Sequence, residues 1–335
     1  MKAIVQDRYG APDVLQLREI ERPVVRDDEV LVRVRAASVH ADVWHVVAGW
    51  PYVLRLMGAG LRRPKNPVPG TDVAGQVESV GKSVTRFKPG DEVFGETIRG
   101  YQWAHGGSYA EYVTAHPDTL ALKPANVTFE QAAAIPTSGL IALRNLRDQG
   151  RVQSGQRVLI NGAGGGVGGL AVQLAKAFDA EVTGVDCADK LDLIRTLGAD
   201  HVIDFAEQDF TRTGERYDLI FDVPGNHPFS ECRRALTPEG RYVLIGHDDY
   251  GRATGRWMGS LPRFLKLMAL SRFTDQLAMS PTPPETKTHL GVLKDFLEAG
   301  KLTPIIDRTY PLSEAADAIR YLQEGRARGR IVITV

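Results

Sequence analysis

Residues 157–186 read RVLINGAGGGVGGLAVQLAKAFDAEVTGVD, and no other stretch limits the possible folds as strongly. It opens on an apolar run, Val158-Leu159-Ile160, suited to a buried strand. Six glycines follow among the eight residues 162–169, then an Ala/Val/Leu helical pattern, then a second strand that ends on an acid, Asp186. Glycines let backbone N–H groups approach a pyrophosphate, and a helix N-terminus favours its negative charge. An acid at the second strand's tip can accept the ribose hydroxyls of an adenosine. The strict G-x-G-x-x-G pattern falls on Gly164, Gly166 and Gly169. Strand before, helix after and acid about 20 residues on make it a dinucleotide site of the Rossmann kind. The competing reading is a glycine turn that serves only helix–strand packing.

A chain of 335 residues suits two domains. Its formal net charge is zero, which argues against nucleic acid as a partner. The two cysteines, Cys187 and Cys232, build neither a disulfide framework nor a multi-cysteine metal site, and they suit a reducing, cytoplasmic setting. Met1-Lys2-Ala3-Ile4-Val5 begins as a strand without a signal-peptide pattern, and no apolar run is long enough for a bilayer span.

Residues 1–125 read as β-rich, with strands expected at 29–34, 75–80, 92–94 and 107–113. From about 126 strands alternate with helices, the pattern of a parallel sheet. Its strands are expected at 157–161, 182–186, 201–204, 218–223, 241–246 and 303–308. A long helical stretch covers 261–297, with the PTPP run at 281–284 as the expected break. A helix at 312–322 and an end strand at 330–335 close the chain.

Several landmarks resemble the medium-chain dehydrogenase/reductases, in their zinc-free quinone-oxidoreductase-like branch. They are residues 36–39 (AASV), 69–75 (PGTDVAG), 87–94 (FKPGDEVF), 163–168 (AGGGVG), 198–204 and 329–332 (GRIV). The resemblance implies an α/β fold, a Rossmann doubly wound parallel sheet inserted in a β-rich GroES-like catalytic domain. The catalytic domain would take residues 1–125, completed by about 310–335, and the dinucleotide-binding domain 126–309. It also implies a glycine register on Ala163, Gly165 and Gly168, a cleft between the domains, and a homodimer joined at the edge strand near 241–250.

Zinc-dependent relatives hold their metal with a cysteine, a His-Glu pair and a third Cys, His or Asp. The matching positions here are Val39, Thr71-Asp72 and Ala134, and one aspartate does not hold zinc alone. His40 and His45 lack a third ligand. No zinc site is therefore expected. Without a Lewis acid to stabilise an alkoxide, reduction is easier to explain than alcohol oxidation: NAD(P)H would deliver hydride to a quinone, enone or activated carbonyl.

Asp186 favours NADH by bonding the ribose and repelling a 2′-phosphate, while Lys190 could meet that phosphate; capping the following helix is the other reading of Asp186. By position, Thr137, Gly166, Val167, Val223 and Gly246 join the glycine register beside the cofactor. His40 and Tyr52 are candidate proton donors, and Trp44, His45, Trp103 and His247 candidate pocket residues; all of these could equally shape an aromatic pocket. Segments 50–65 and 252–272 carry basic and apolar residues without an acid. They read as lids over a hydrophobic small-molecule substrate, as a patch for peripheral contact with an anionic membrane, or as interdomain or dimer contacts. Alternatives to quinone reduction are an enoyl or alkenal reductase and a non-catalytic dinucleotide-binding sensor or scaffold. A zinc alcohol dehydrogenase is the least favoured.

Overall fold

The computed structural model describes residues 1–98, 105–246, 255–279 and 285–335. The N-terminal half supplies β1 (Lys2–Val5), β2 (Gln16–Glu19), β3 (Val30–Val39), α1 (Ala41–Ala48), β4 (Asp72–Val80), β5 (Glu92–Glu96), β6 (Tyr112–Ala115), β7 (Leu120–Leu122), α2 (Phe129–Ala133) and α3 (Pro136–Leu143). The chain continues through β8 (Arg157–Asn161), α4 (Gly166–Ala177), β9 (Glu181–Asp186), α5 (Leu191–Thr196), β10 (His201–Asp204), β11 (Tyr217–Asp222), α6 (Phe229–Cys232), β12 (Leu236–Leu244) and α7 (Leu261–Leu270). It ends in α8 (Thr286–Glu298), β13 (Ile306–Pro311), α9 (Ala315–Gln323) and β14 (Arg330–Thr334).

Strands β8 to β12 form a parallel sheet in the order β10-β9-β8-β11-β12. Val158, Leu159 and Ile160 of β8 are fully buried, as a strand covered on both faces requires. The order reverses between β8 and β11, so their carboxyl ends open a crevice where ligands of such sheets bind. The outer side of β12 is met by the segment after α7: the Tyr242 amide donates to the Gln276 carbonyl at 2.7 Å and the Ala278 amide to the Tyr242 carbonyl at 3.0 Å.

The other large sheet runs β13-β14-β3-β4-β5-β7, with β6 also on β3. Here the expected strand at 303–308 is corrected. It forms as β13, but it pairs in parallel with β14 in this sheet rather than in the Rossmann sheet. The expected strand at 107–113 shifts to β6, with Ala110 bridging Ala3 instead. The helical stretch at 261–297 divides into α7 and α8, because residues 276–278 lie extended along Tyr242. The PTPP run, and with it the expected break, lies outside the described residues. One apolar core crosses between the sheets, joining Ala36, Ala74 and Phe94 to Val158, Leu219 and Leu293.

Candidate active site at the inter-sheet cleft

The glycine loop shapes the floor. Gly162 turns the chain at φ +82, a conformation that favours glycine. A Cβ on Gly168 would lie 2.0 Å from the Gly162 carbonyl oxygen, so this residue must be glycine for α4 to pack on β8. Gly165, just before α4, has only that same carbonyl within contact range of a Cβ, at 3.5 Å. Its surface is open to a ligand, where the first α4 amides gather.

Above this floor lies a cavity of about 250 Å³, lined by His40, Thr137, Gly165, Gly166, Val167, Lys190, Val223 and Gly246 among others. These eight predicted residues meet in one place, although they come from six parts of the chain. Ala163 and Gly168 serve packing beneath it. Trp44 is buried in the core with Val39 and Val43, its ring edge-on to Trp50. Tyr52 packs its ring on Trp257 at 5.3 Å and under the Arg55 guanidinium at 4.6 Å, away from the cavity lining. Trp103 and His247 lie outside the described residues.

Asp186 turns toward the glycine loop. Its Oδ2 accepts the Gly164 amide at 2.8 Å, its Oδ1 accepts the Cys187 amide at 2.9 Å, and the Lys190 ammonium stands 3.7 Å away. Asp186 is thus anchored to the backbone, while Lys190 lines the cavity. The neighbouring Cys187 thiol is pushed up to about 12, chiefly by burial, so it is no nucleophile at neutral pH.

The other wall is a buried polar cluster. Asp72 is fully buried, and both its oxygens are occupied. Oδ1 accepts the Thr137 amide at 3.1 Å and the Thr137 hydroxyl at 2.5 Å. Oδ2 accepts the Ser38 hydroxyl at 2.5 Å and the Arg330 guanidinium at 3.1 Å. Arg330 also donates to Ser38 Oγ at 2.6 Å, and the Tyr109 hydroxyl donates to the Ser38 carbonyl at 3.0 Å. The cluster locks Thr137 at the cavity wall. Two buried atoms of cavity-lining residues, Ser138 Oγ and Arg330 Nε, have no partner among the described residues. An unsatisfied buried polar atom costs roughly 1–3 kcal/mol, so this wall is built for a polar ligand.

His40 Nε2 lies 2.9 Å from Thr71 Oγ1 and its Nδ1 3.9 Å from an Asp42 oxygen. Burial holds its pKa below the ordinary histidine value, so the imidazole is neutral at pH 7. Glu96 stands directly across from Asp72 in the β4–β5 ladder. Burial first, then the Asp72 charge, push its carboxyl up to about 8.

A second, larger cavity of about 490 Å³ adjoins the first through shared Asp42, Ile141, Ile245 and Gly246. His45 lines it, with its Nδ1 2.7 Å from the Trp50 carbonyl. The chain has five methionines, and four of them, Met57, Met258, Met268 and Met279, line this cavity. Both basic segments contribute to its walls. They are joined by the Tyr52 amide on the Arg256 carbonyl at 2.7 Å and the Val53 amide on the Trp257 carbonyl at 3.0 Å. Sequence reasoning missed the Asp72 cluster, Ser138 and the methionine wall. The landmarks at 36–39, 69–75 and 329–332 and the placing of Thr137 held its members, but nothing in the sequence joined them.

Comparison with known proteins agrees with this fold. Residues 26–125 match the alcohol dehydrogenase GroES-like domain, and residues 197–333 match the family described as zinc-binding dehydrogenase. A chloroplastic quinone-oxidoreductase homolog of Spinacia oleracea is 32% identical over 99% of this chain and 98% of that protein. An NADPH-dependent alkenal/one oxidoreductase of Arabidopsis thaliana, also chloroplastic, is 31% identical over 99% of this chain and 79% of its own. The solved structure of the quinone oxidoreductase from Coxiella burnetii superimposes with a TM-score of 0.84 at 29% identity, covering 100% of this chain and 99% of that one.

Proposed function

The chain belongs to the quinone-oxidoreductase-like branch of the medium-chain dehydrogenase/reductase superfamily, and from that premise we propose that it is a metal-independent NAD(P)H reductase of bulky apolar quinones or enones. The observation that carries this reading is the junction of the two cavities. A polar cleft over the glycine loop, with two unsatisfied buried atoms, opens into a methionine-walled chamber large enough for a polycyclic or prenylated acceptor.

When bound, reduced nicotinamide supplies the hydride. The protein's own residues supply position. The α4 N-terminus at Gly166 and Val167 would hold the pyrophosphate, and Arg330 and Ser138 would offer it or the neighbouring ribose their unused polar atoms. Asp72 holds Thr137 through its amide and hydroxyl, and Thr137 would position the nicotinamide end. His40, a neutral imidazole at the cleft wall, would donate a hydrogen bond to the acceptor oxygen, and the proton it yields would be replaced on its other nitrogen from solvent or through Thr71, so that the ring ends neutral. Tyr52 braces the chamber's cover through Trp257 instead of acting as an acid. Support for metal independence comes from the occupancy of Asp72, whose oxygens already accept four donors. Methionine side chains adapt to varied apolar shapes, so the chamber admits a family of acceptors rather than one.

NADH is the preferred donor by a modest margin. Asp186 opposes a 2′-phosphate, but Lys190 at 3.7 Å offsets most of that field, and the expected discrimination is about tenfold or less. The protein works in a reducing, cytosolic setting, consistent with free Cys187 and Cys232. The homodimer that the resemblance implies would join at the edge strand near 241–250, where residues 276–278 of the same chain already bond to Tyr242.

Anaerobic incubation with NADH or NADPH and either a naphthoquinone or a long-chain alkenal, followed by chromatography of the products, tests the reading. A hydroquinone or a saturated carbonyl is the expected product. Tight dinucleotide binding with no product from any acceptor would replace the reductase by a dinucleotide sensor.

A further inference from the structure

The mouth of the methionine chamber carries an unusual surface. Among the described residues twelve large hydrophobic side chains are exposed, and seven of them, Leu56, Leu61, Trp257, Met258, Leu265, Met268 and Leu270, sit on the two segments that roof this chamber. Leu56 is 75% exposed, Leu61 65% and Trp257 76%. Scattered single apolar residues are ordinary on a protein surface, but a concentration of them at one opening is not. Cations accompany them. Arg62, Arg63, Lys65, Arg256, Lys266 and Arg272 are all exposed, and residues 50–65 and 255–272 contain no acid. The segments' other arginines are used internally: Arg55 donates to the Gly49 carbonyl and Arg263 to the His227 carbonyl.

We propose that this rim docks the protein on an anionic lipid bilayer, with the chamber mouth facing the membrane so that an apolar acceptor enters from the lipid phase. Helix α7 shows how the surface is built. Leu267 is buried against the Rossmann body, Leu261, Phe264 and Met268 line the chamber, and Leu265 and Lys266 turn outward. An amphipathic helix with aliphatic and basic residues at its rim, flanked by an exposed tryptophan, matches the headgroup–acyl boundary. The association of the two segments through Tyr52, Val53, Arg256 and Trp257 makes one continuous face of them. A second copy of the chain does not fit this face: a two-fold contact would set six cations against the same six. A bilayer containing acidic headgroups neutralises them and takes up the apolar tips in the same contact.

The surface stands apart from the reaction assigned above, and its test does not use turnover. The full chain is centrifuged with vesicles of phosphatidylcholine plus phosphatidylserine, and with pure phosphatidylcholine, at low and high salt. Binding to the anionic vesicles at low salt, released by salt and weak on pure phosphatidylcholine, is expected. Each basic residue at an anionic surface contributes roughly fivefold in partitioning, so Arg62→Gln/Arg63→Gln/Lys266→Gln lowers it by on the order of a hundredfold. Leu56→Ser/Leu265→Ser lowers binding at low salt as well, because the apolar tips share the contact. Unchanged NADH binding and near-ultraviolet dichroism show that these exposed substitutions leave the fold intact. The proposal is overturned if the wild type ignores anionic vesicles or the triple variant binds them equally well. Binding to soluble polyglutamate but not to vesicles overturns it in favour of an acidic protein, and conversion of a dimer to a monomer by the triple variant in favour of a second copy.

Discussion

Replacing Asp72 by asparagine alters one atom in a fully buried cluster and separates a structural carboxylate from a replaceable one. Both oxygens of Asp72 accept hydrogen bonds, so whichever way the amide turns, its NH2 group meets a donor. Arg330, its side chain 6% exposed, also loses its counter-ion. Breaking a buried ion pair by removing one partner costs about 3–5 kcal/mol. At ~2.1 cal/mol/K per residue, a chain of 335 residues unfolds with an entropy of about 0.7 kcal/mol/K, so Tm falls by about 4–7 °C. Arg330→Met leaves the charge on Asp72 instead and costs a similar amount. The double variant removes both charges and is expected to lose less than the sum of the two, with a coupling of about 2 kcal/mol. Thermal unfolding followed by circular dichroism at pH 7, in all four proteins, gives the cycle. Because Asp72 also fixes Thr137, Asp72→Asn lowers kcat more than it raises the KM for the acceptor. A Tm within about 1 °C of wild type for Asp72→Asn, or strict additivity in the double variant, would refute the assignment of this cluster as the site's scaffold.

The carboxyl of Glu96, raised to about 8 against an ordinary 4.5, binds its proton more tightly folded than unfolded. Stability therefore falls as pH rises from about 4.5 to about 8, and Glu96→Gln, which has no proton to lose, flattens this slope in Tm-against-pH curves; a steeper slope in the variant contradicts the sign. Lys190→Gln is expected to raise the KM for NADPH about tenfold while changing that for NADH less than threefold, read from initial rates with each donor. Met57→Ala removes apolar wall from the larger cavity and lowers kcat/KM for a prenylated quinone by roughly fivefold, with little effect on benzoquinone; equal losses on both would place Met57 outside the acceptor's contact surface.

The glycine loop was legible in the sequence because its requirements are local. Gly162 needs a positive φ and Gly168 a close backbone approach, and both are set within a dozen residues. Sheet membership was less so. The segment 303–308 reads as a strand but does not declare its partner, and β14, which claims it as β13, lies beyond an intervening helix. The 276–278 segment looked helical because its neighbours are apolar at helical spacing, whereas its conformation is fixed by Tyr242, more than thirty positions earlier. The Asp72 cluster joins residues 34, 65 and 258 positions apart, and nothing in the local pattern of Ser38, Thr137 or Arg330 marks them as partners. Tyr52 and Trp44 carried the chemistry of a pocket at plausible positions, but aromatic rings serve packing as readily, and here they do.

The most direct measurement is the rate of NADH and NADPH oxidation with a naphthoquinone after exhaustive dialysis against a chelator, with and without added zinc. The account predicts steady oxidation of at least one donor, undiminished by metal removal and not stimulated by zinc, because the Asp72 oxygens are already committed to Ser38, Thr137 and Arg330. Activity that vanishes on dialysis and returns with zinc would contradict it and move the catalytic centre to a metal.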